Sequence, residues 1–167
     1  MVVVDSSAII PLLNIGKLEL IRKNFSEFVV PQIVWEEVVE NGKLFGKPYS
    51  LFAQGKNVWF SIVSERKKEE AKTFAKEQEI QEADAEIILL AKERNQILLT
   101  NDAAMYACCL TQGIQSWWLT TLVLASVKKK IITKNEAEQI LFELVTTGNM
   151  HLRTDVFVEL LLILKNL

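Results

Sequence analysis

The chain opens with three consecutive valines, Val2-Val3-Val4, stopped by Asp5. A β-branched run with no polar alternation has no face suited to water, so as a strand it is buried on both sides. That requirement restricts the fold to a sheet with layers above and below it. Similar short apolar runs recur at Phe28-Val29-Val30 before Pro31, at Val58 to Val63, at Ile97-Leu98-Leu99-Thr100 and at Ile114 to Trp118. Helical patterns separate them. Ser6 and Ser7 open a helix to about Asn14, with Pro11 in or near its first turn, and a short helix covers Lys17 to Asn24. Gln32 to Glu40 is helical until Asn41-Gly42 stops it. Glu65 to Gln78 is a charged helix with Ala71, Phe74 and Ala75 inward. Ala83 to Arg94 is a longer apolar helix, and Ala103 to Leu110 is one ended by Gly113. Strands alternating with helices predict an α/β fold, a parallel sheet with helices on both faces. Beyond residue 119 the pattern is helical only, over about 120–130, 135–146 and 154–165. Residues 43–56 are the least regular stretch.

Composition narrows the chemistry. A chain of 167 residues is most simply one domain and can bury a core without staples. Net charge is −2 and the pI is about 5.6, so any nucleic-acid site must be a local patch. His151 is the single histidine, which nearly removes Ser-His-Asp, Cys-His and zinc-His chemistry. Cys108 and Cys109 are adjacent, without partners elsewhere, and read as buried helix positions in a reducing compartment. No signal peptide is visible at the start, and the apolar run Leu160 to Leu164 is too short to span a bilayer. A cytoplasmic location is expected, with no membrane partner.

Four acids stand out. Asp5 and Asp102 follow the first and fourth strands, at the edge where open α/β sheets bind ligands. Taken alone, each reads more readily as the cap of the helix that follows it, and it is the pair that favours a site. Glu37 shares a helical face with Ile33 and Val34, whereas Glu36 lines up with Gln32 and Glu40 on a polar stripe. Asp84 shares a face with Ile88 and Ala91, while Glu82 and Glu86 face away, Glu86 remaining a candidate for a supporting role around the site. Their own alternatives are a border position for Glu37 and a macrodipole acid in the first turn for Asp84. If strands one and four are neighbours, Asp5 and Asp102 lie side by side, and like charges there require a cation or a raised pKa. Together, Asp5, Glu37, Asp84 and Asp102 offer hard oxygen ligands for Mg²⁺ or Mn²⁺. Such an ion suits phosphodiester hydrolysis. Thr100 and Asn101 are further oxygens with weaker claims.

The order of these motifs resembles a PIN domain of the VapC-like toxin group, in the subgroup with a helical C-terminal tail. The resemblance rests on Val3-Val4-Asp5-Ser6-Ser7-Ala8, Val30-Pro31 leading to Glu37-Val38, Ala83-Asp84-Ala85 with Ala91, Leu99-Thr100-Asn101-Asp102, Gly113-Ile114, the run towards Ile131-Ile132, and Gly148-Asn149. It covers nearly the whole chain. It implies a three-layer α/β/α fold with a five-stranded parallel sheet ordered 3-2-1-4-5. Residues 1–118 would form the α/β core, and residues 119–167 a helical extension packed on it as one domain. It further implies an Mg²⁺- or Mn²⁺-dependent ribonuclease leaving a 5′-phosphate. Asp5, Glu37, Asp84 and Asp102 would hold the metal, and Ser6 or Ser7 would support Asp5. An RNA substrate and an antitoxin protein are the implied partners, and the apolar stretch Val156 to Leu164 adds a homodimer as a further expectation. The sequence departs from the family pattern in two places. Trp117-Trp118-Leu119-Thr120 stands where a Gly-Thr pair is usual, and Asn101 where a second acid is frequent.

Three rivals compete with the nuclease: a catalytically silent PIN-like module binding RNA or protein, a phosphohydrolase acting on small nucleotides or DNA, and a nucleotide-binding protein. The last ranks lowest, because the six glycines are scattered and form no phosphate loop. Lys128-Lys129-Lys130 reads as a favourable helix end more readily than as a phosphate contact. Lys43, Lys47 and Lys56 are candidates for an RNA-facing rim. Trp117 and Trp118 could stack on bases, with core packing the expected role. Val156 to Leu164 is apolar almost all round, and therefore either packs on the domain or joins a partner.

Overall fold

The structure, a computed structural model, describes residues 1–41, 52, 59–64 and 67–167. Five parallel strands form its sheet: β1 (Val2–Val4), β2 (Phe28–Pro31), β3 (Phe60–Val63), β4 (Ile97–Leu99) and β5 (Ser116–Trp117). Their order is β3-β2-β1-β4-β5, as the family resemblance implied. The three valines of β1 lie at the centre, fully buried, with Val2 opposite Phe28 on one side and Ile97 on the other. The unbroken apolar run therefore has the physical cause inferred from it: both neighbours and both faces are covered.

Helices fill the connections. They are α1 (Ser6–Asn14), α2 (Glu19–Phe25), α3 (Gln32–Trp35), α4 (Lys68–Gln78), α5 (Glu82–Glu93) and α6 (Ala103–Thr111). Pro11 lies inside α1 rather than in its first turn. The helix expected to run from Gln32 to Glu40 is α only to Trp35 and then widens into a π-helix over Glu36–Asn41. Helices α4 and α5 pack as a hairpin, with Ala71, Ala75 and Ala85 closing a small core of their own beside Phe74 and Leu89. The irregular stretch at 43–56, with Lys43, Lys47 and Lys56, falls outside the described residues apart from Phe52, whose ring stacks on Phe60 at 4.7 Å.

Three helices follow β5: α7 (Leu119–Lys128), α8 (Lys134–Thr146) and α9 (Thr154–Asn166). The contact of α7 with α2 is partly polar. Asn24 Nδ2 donates to Ser126 Oγ at 2.6 Å and to Leu20 O at 2.9 Å. Lys129 Nζ donates to Asn24 O at 2.8 Å and sits over the Phe25 ring, so one lysine of the 128–130 cluster is a structural clamp. Helix α9 buries Leu160 and Leu164 against the domain while Val158, Leu162 and Ile163 stay exposed. Among the described residues no helix is long and apolar enough to cross a membrane.

Candidate active site

Asp5 and Asp102 lie at the carboxyl edge of the sheet, and Asp84 and Glu37 come from other elements near enough to feel the charge of Asp5. Asp5 ends β1 and caps α1. Its Oδ1 accepts from Ser6 N at 2.7 Å and its Oδ2 from Ser7 N at 3.2 Å. It is also almost fully buried. The capping reading of Asp5 is thus met in the structure, and the same carboxylate stays at the carboxyl edge of the sheet. The Ser7 hydroxyl donates to Asp5 Oδ2 as well, and Thr100 Oγ1 reaches the same oxygen at 3.1 Å.

Asp102 repeats this arrangement one strand away. It caps α6, accepting from Met105 N at 2.8 Å. Its own N–H donates to Thr100 Oγ1 at 3.1 Å, and the neighbouring Asn101 N donates to Ser7 Oγ at 2.8 Å. Asp5 N donates to Leu99 O at 3.0 Å, which ties the two strand ends together. Thr100 is completely buried between them. Sequence reasoning gave Thr100 only a weak claim as a spare oxygen. Its role is to fix Asp5 and the turn carrying Asp102, and the signal was its place between an apolar strand and a capping acid. Both serines beside Asp5 support it, Ser7 through its hydroxyl.

Asp84 lies in the first turn of α5, half-buried. Its pKa is pushed up to about 6, first by burial and then by the charges of Asp5, Asp102 and Glu37, with a backbone hydrogen bond from Gln81 opposing. The three other acids therefore act on one carboxyl group. Glu37 corrects an expectation. It was read on an apolar helical face with a border position as its alternative, and the structure has the alternative: within the π-helix Glu36–Asn41, Glu37 is solvent-exposed while Val34 and Val38 are buried. The protein beside it still displaces enough water to raise its pKa; a hydrogen bond from Ser6 lowers it and the charge of Asp5 adds to the rise. Glu86 lines a separate cleft of about 190 Å³ with Gln32, Lys67 and Arg94, a cleft lined by none of the four acids.

The donor set fits a hard divalent cation in kind: all four groups are carboxyls, the ligands Mg²⁺ and Mn²⁺ prefer. The dominant charges acting on Asp84 are acids, a field that a cation would relieve. Among the described residues, no three Asp, Glu, His or Cys side chains converge closely enough to enclose an ion as they stand.

A family model described as a PIN domain matches residues 1–166, and the chain belongs to that family. PIN domains are usually nucleases. Among solved structures, the chain is similar to PAE2754 from Pyrobaculum aerophilum, with 17% identity, a TM-score of 0.55, and coverage of 74% of this chain and 94% of that one. It also matches a domain of a functionally unknown protein from Methanocaldococcus jannaschii at 26% identity and a TM-score of 0.46, over 70% of this chain and 89% of that one. At these levels the first likeness speaks to the fold. No curated protein matches the sequence.

Proposed function

We propose that this PIN-domain chain is a metal-dependent endoribonuclease, and that its biology is that of a VapC-like toxin restrained by an antitoxin protein. The observation that carries the reading is the grouping of Asp5, Glu37, Asp84 and Asp102, with Asp84 in the field of the other three. Asp5, Asp84 and Asp102 would hold Mg²⁺ or Mn²⁺, with Glu37 on the open side. When bound, the ion supplies neutralisation of the scissile phosphate and acidifies a water. The chain's own contribution is positional. Thr100 and Ser7 fix Asp5, and the two helix caps fix the turns that carry Asp5 and Asp102. Exposed Glu37 faces solvent where substrate and water enter, and its raised pKa suits it to take up a proton.

A second reading, a silent PIN-like module that grips RNA or protein, draws on the open spacing of the acids. Cleavage of a mixed structured and single-stranded RNA panel decides between them, run with Mn²⁺, Mg²⁺ or EDTA, on wild type, Asp5→Asn and Asp102→Asn. The nuclease reading expects metal-dependent cleavage lost in both variants. Cleavage indifferent to EDTA and to both substitutions would sink it, and RNA retention without cleavage would favour the silent module.

A further inference from the structure

The two tryptophans after β4 divide in a way that core packing does not explain. Trp35, Trp59 and Trp117 pack against the main core, and Trp117 lies on Phe25 at 5.0 Å. Trp118 stands outside that core. Its ring stacks on Tyr106 at 4.6 Å between centroids and 23° between planes, and both rings are half-buried. Trp118 also occupies the N-cap of α7, where Ser, Thr, Asp or Asn would satisfy a backbone N–H, and it makes no side-chain cap bond there. A large aromatic in a capping position, away from the core, has given up two ordinary roles.

Its position supplies a third. Trp118 leaves β5, the strand beside β4, at the same carboxyl edge as the acids, and Thr100 N donates to Trp117 O at 3.0 Å. Tyr106 lies one helical turn after Asp102, its N–H donating to Asp102 O at 3.0 Å. The aromatic pair is therefore built directly onto the one turn that carries Thr100 and Asp102. We propose that Tyr106 and Trp118 form a stacking wall for one unpaired base of the RNA, next to the phosphodiester held at the acidic edge. This rests on the ribonuclease reading and adds to it the positioning of substrate. A base inside a duplex has no free face to offer, so the wall selects single-stranded RNA with a nucleotide splayed beside the cut. Trp118 in place of a small residue narrows the substrate instead of blocking the site.

The test is binding of a labelled single-stranded oligoribonucleotide, followed by fluorescence anisotropy with Ca²⁺ as the cation. Wild type, Trp118→Ala, Trp118→Phe and Tyr106→Ala would be compared, each checked for folding by circular dichroism. A series of oligonucleotides carries one abasic site at successive positions. Wild type should lose about 5- to 150-fold in affinity when one particular base is removed, the range expected for one aromatic–base stack. Trp118→Ala should lose a similar factor on the intact strand and nothing more at that abasic position. Trp118→Phe should restore most of the binding. If wild type binds or cuts RNA but Trp118→Ala binds the intact strand equally well, or shows the same abasic profile, the wall is wrong and the nuclease reading stands. If wild type neither binds nor cuts any RNA, both fall.

Discussion

At the scale of the residue, the site is organised by hydroxyls and titrated by one acid. Thr100 and Ser7 spend their hydrogen bonds on Asp5 and on the turn carrying Asp102, leaving Asp84 to absorb the repulsion. Its folded pKa of about 6 lies above its ordinary value of 3.8. The sign follows by linkage. Between those two pH values the folded protein holds a proton that the unfolded chain has released, so Asp84's contribution is full below pH 3.8 and is lost as pH rises through about 6. In metal-free protein, Asp84→Asn should raise stability at pH 7 by about 1–2 kcal/mol, after discounting the linkage value for partial exposure to solvent. Urea denaturation of wild type and variant from pH 4 to 8 checks this. The gap should widen between pH 4 and about 6 and level off above, and a gap independent of pH would show that Asp84 is not the strained group.

At the scale of the element, helix ends decide more than helix middles. Helix α8 closes through Gly148 N to Glu143 O at 2.9 Å and Met150 N to Leu144 O at 2.9 Å. A Cβ on Gly148 would sit 2.6 Å from Leu144 O, a backbone atom of the same closing turn. Gly113, after α6, is different: it has open space around it but a φ of +67°. Gly148→Asn should therefore cost about 1–3 kcal/mol by overpacking. Gly113→Asn should cost less, within about 1 kcal/mol, because the space is open and Asn is among the side chains best able to adopt the left-handed region. Denaturation midpoints of the two variants measure the contrast, and equal costs would refute the distinction. The same end effects set the limits of what the sequence disclosed. The sheet was legible because each strand is an apolar run between turn residues, and its order came from the family resemblance. Strand β5 came out shorter than Ile114 to Trp118 because Ile114 N bonds back to Cys109 O at 2.8 Å, closing α6 instead of pairing in the sheet. Glu37 was placed on the apolar stripe by a regular 3.6-residue period, at its border, and nothing in Trp35-Glu36-Glu37-Val38 announces the π-helical turn found there. The strand-end places of Asp5 and Asp102 and the first-turn place of Asp84 were legible, whereas Tyr106, four residues beyond Asp102 on the same helical face, was passed over.

At the scale of the whole molecule, the fold sets a cost against an affinity. The same strand order that buries three valines at the centre brings β1 and β4 together, and with them Asp5 and Asp102. Asp84 and Glu37 then approach from elements on either side, and both have raised pKa values for which burial is the first cause. Like charges brought together by folding weaken the folded state and strengthen its hold on any cation that separates them. A cation that binds the folded but not the unfolded chain stabilises by mass action, about 2.7 kcal/mol at a hundredfold excess over Kd. For a domain of this length that is a rise of about 5–10 °C in Tm. Mn²⁺ should therefore raise the Tm of wild type in a concentration-dependent way, and EDTA should reverse it. Asp102→Asn and Asp5→Asn should respond far less to Mn²⁺, and in metal-free buffer Asp5→Asn should melt lower than wild type, because its amide nitrogen would face donors that both Asp5 oxygens now accept from. Differential scanning calorimetry across an Mn²⁺ titration measures this without any substrate. A Tm that Mn²⁺ leaves unmoved in wild type, or moves equally in all three proteins, would mean that these acids do not form the cation site.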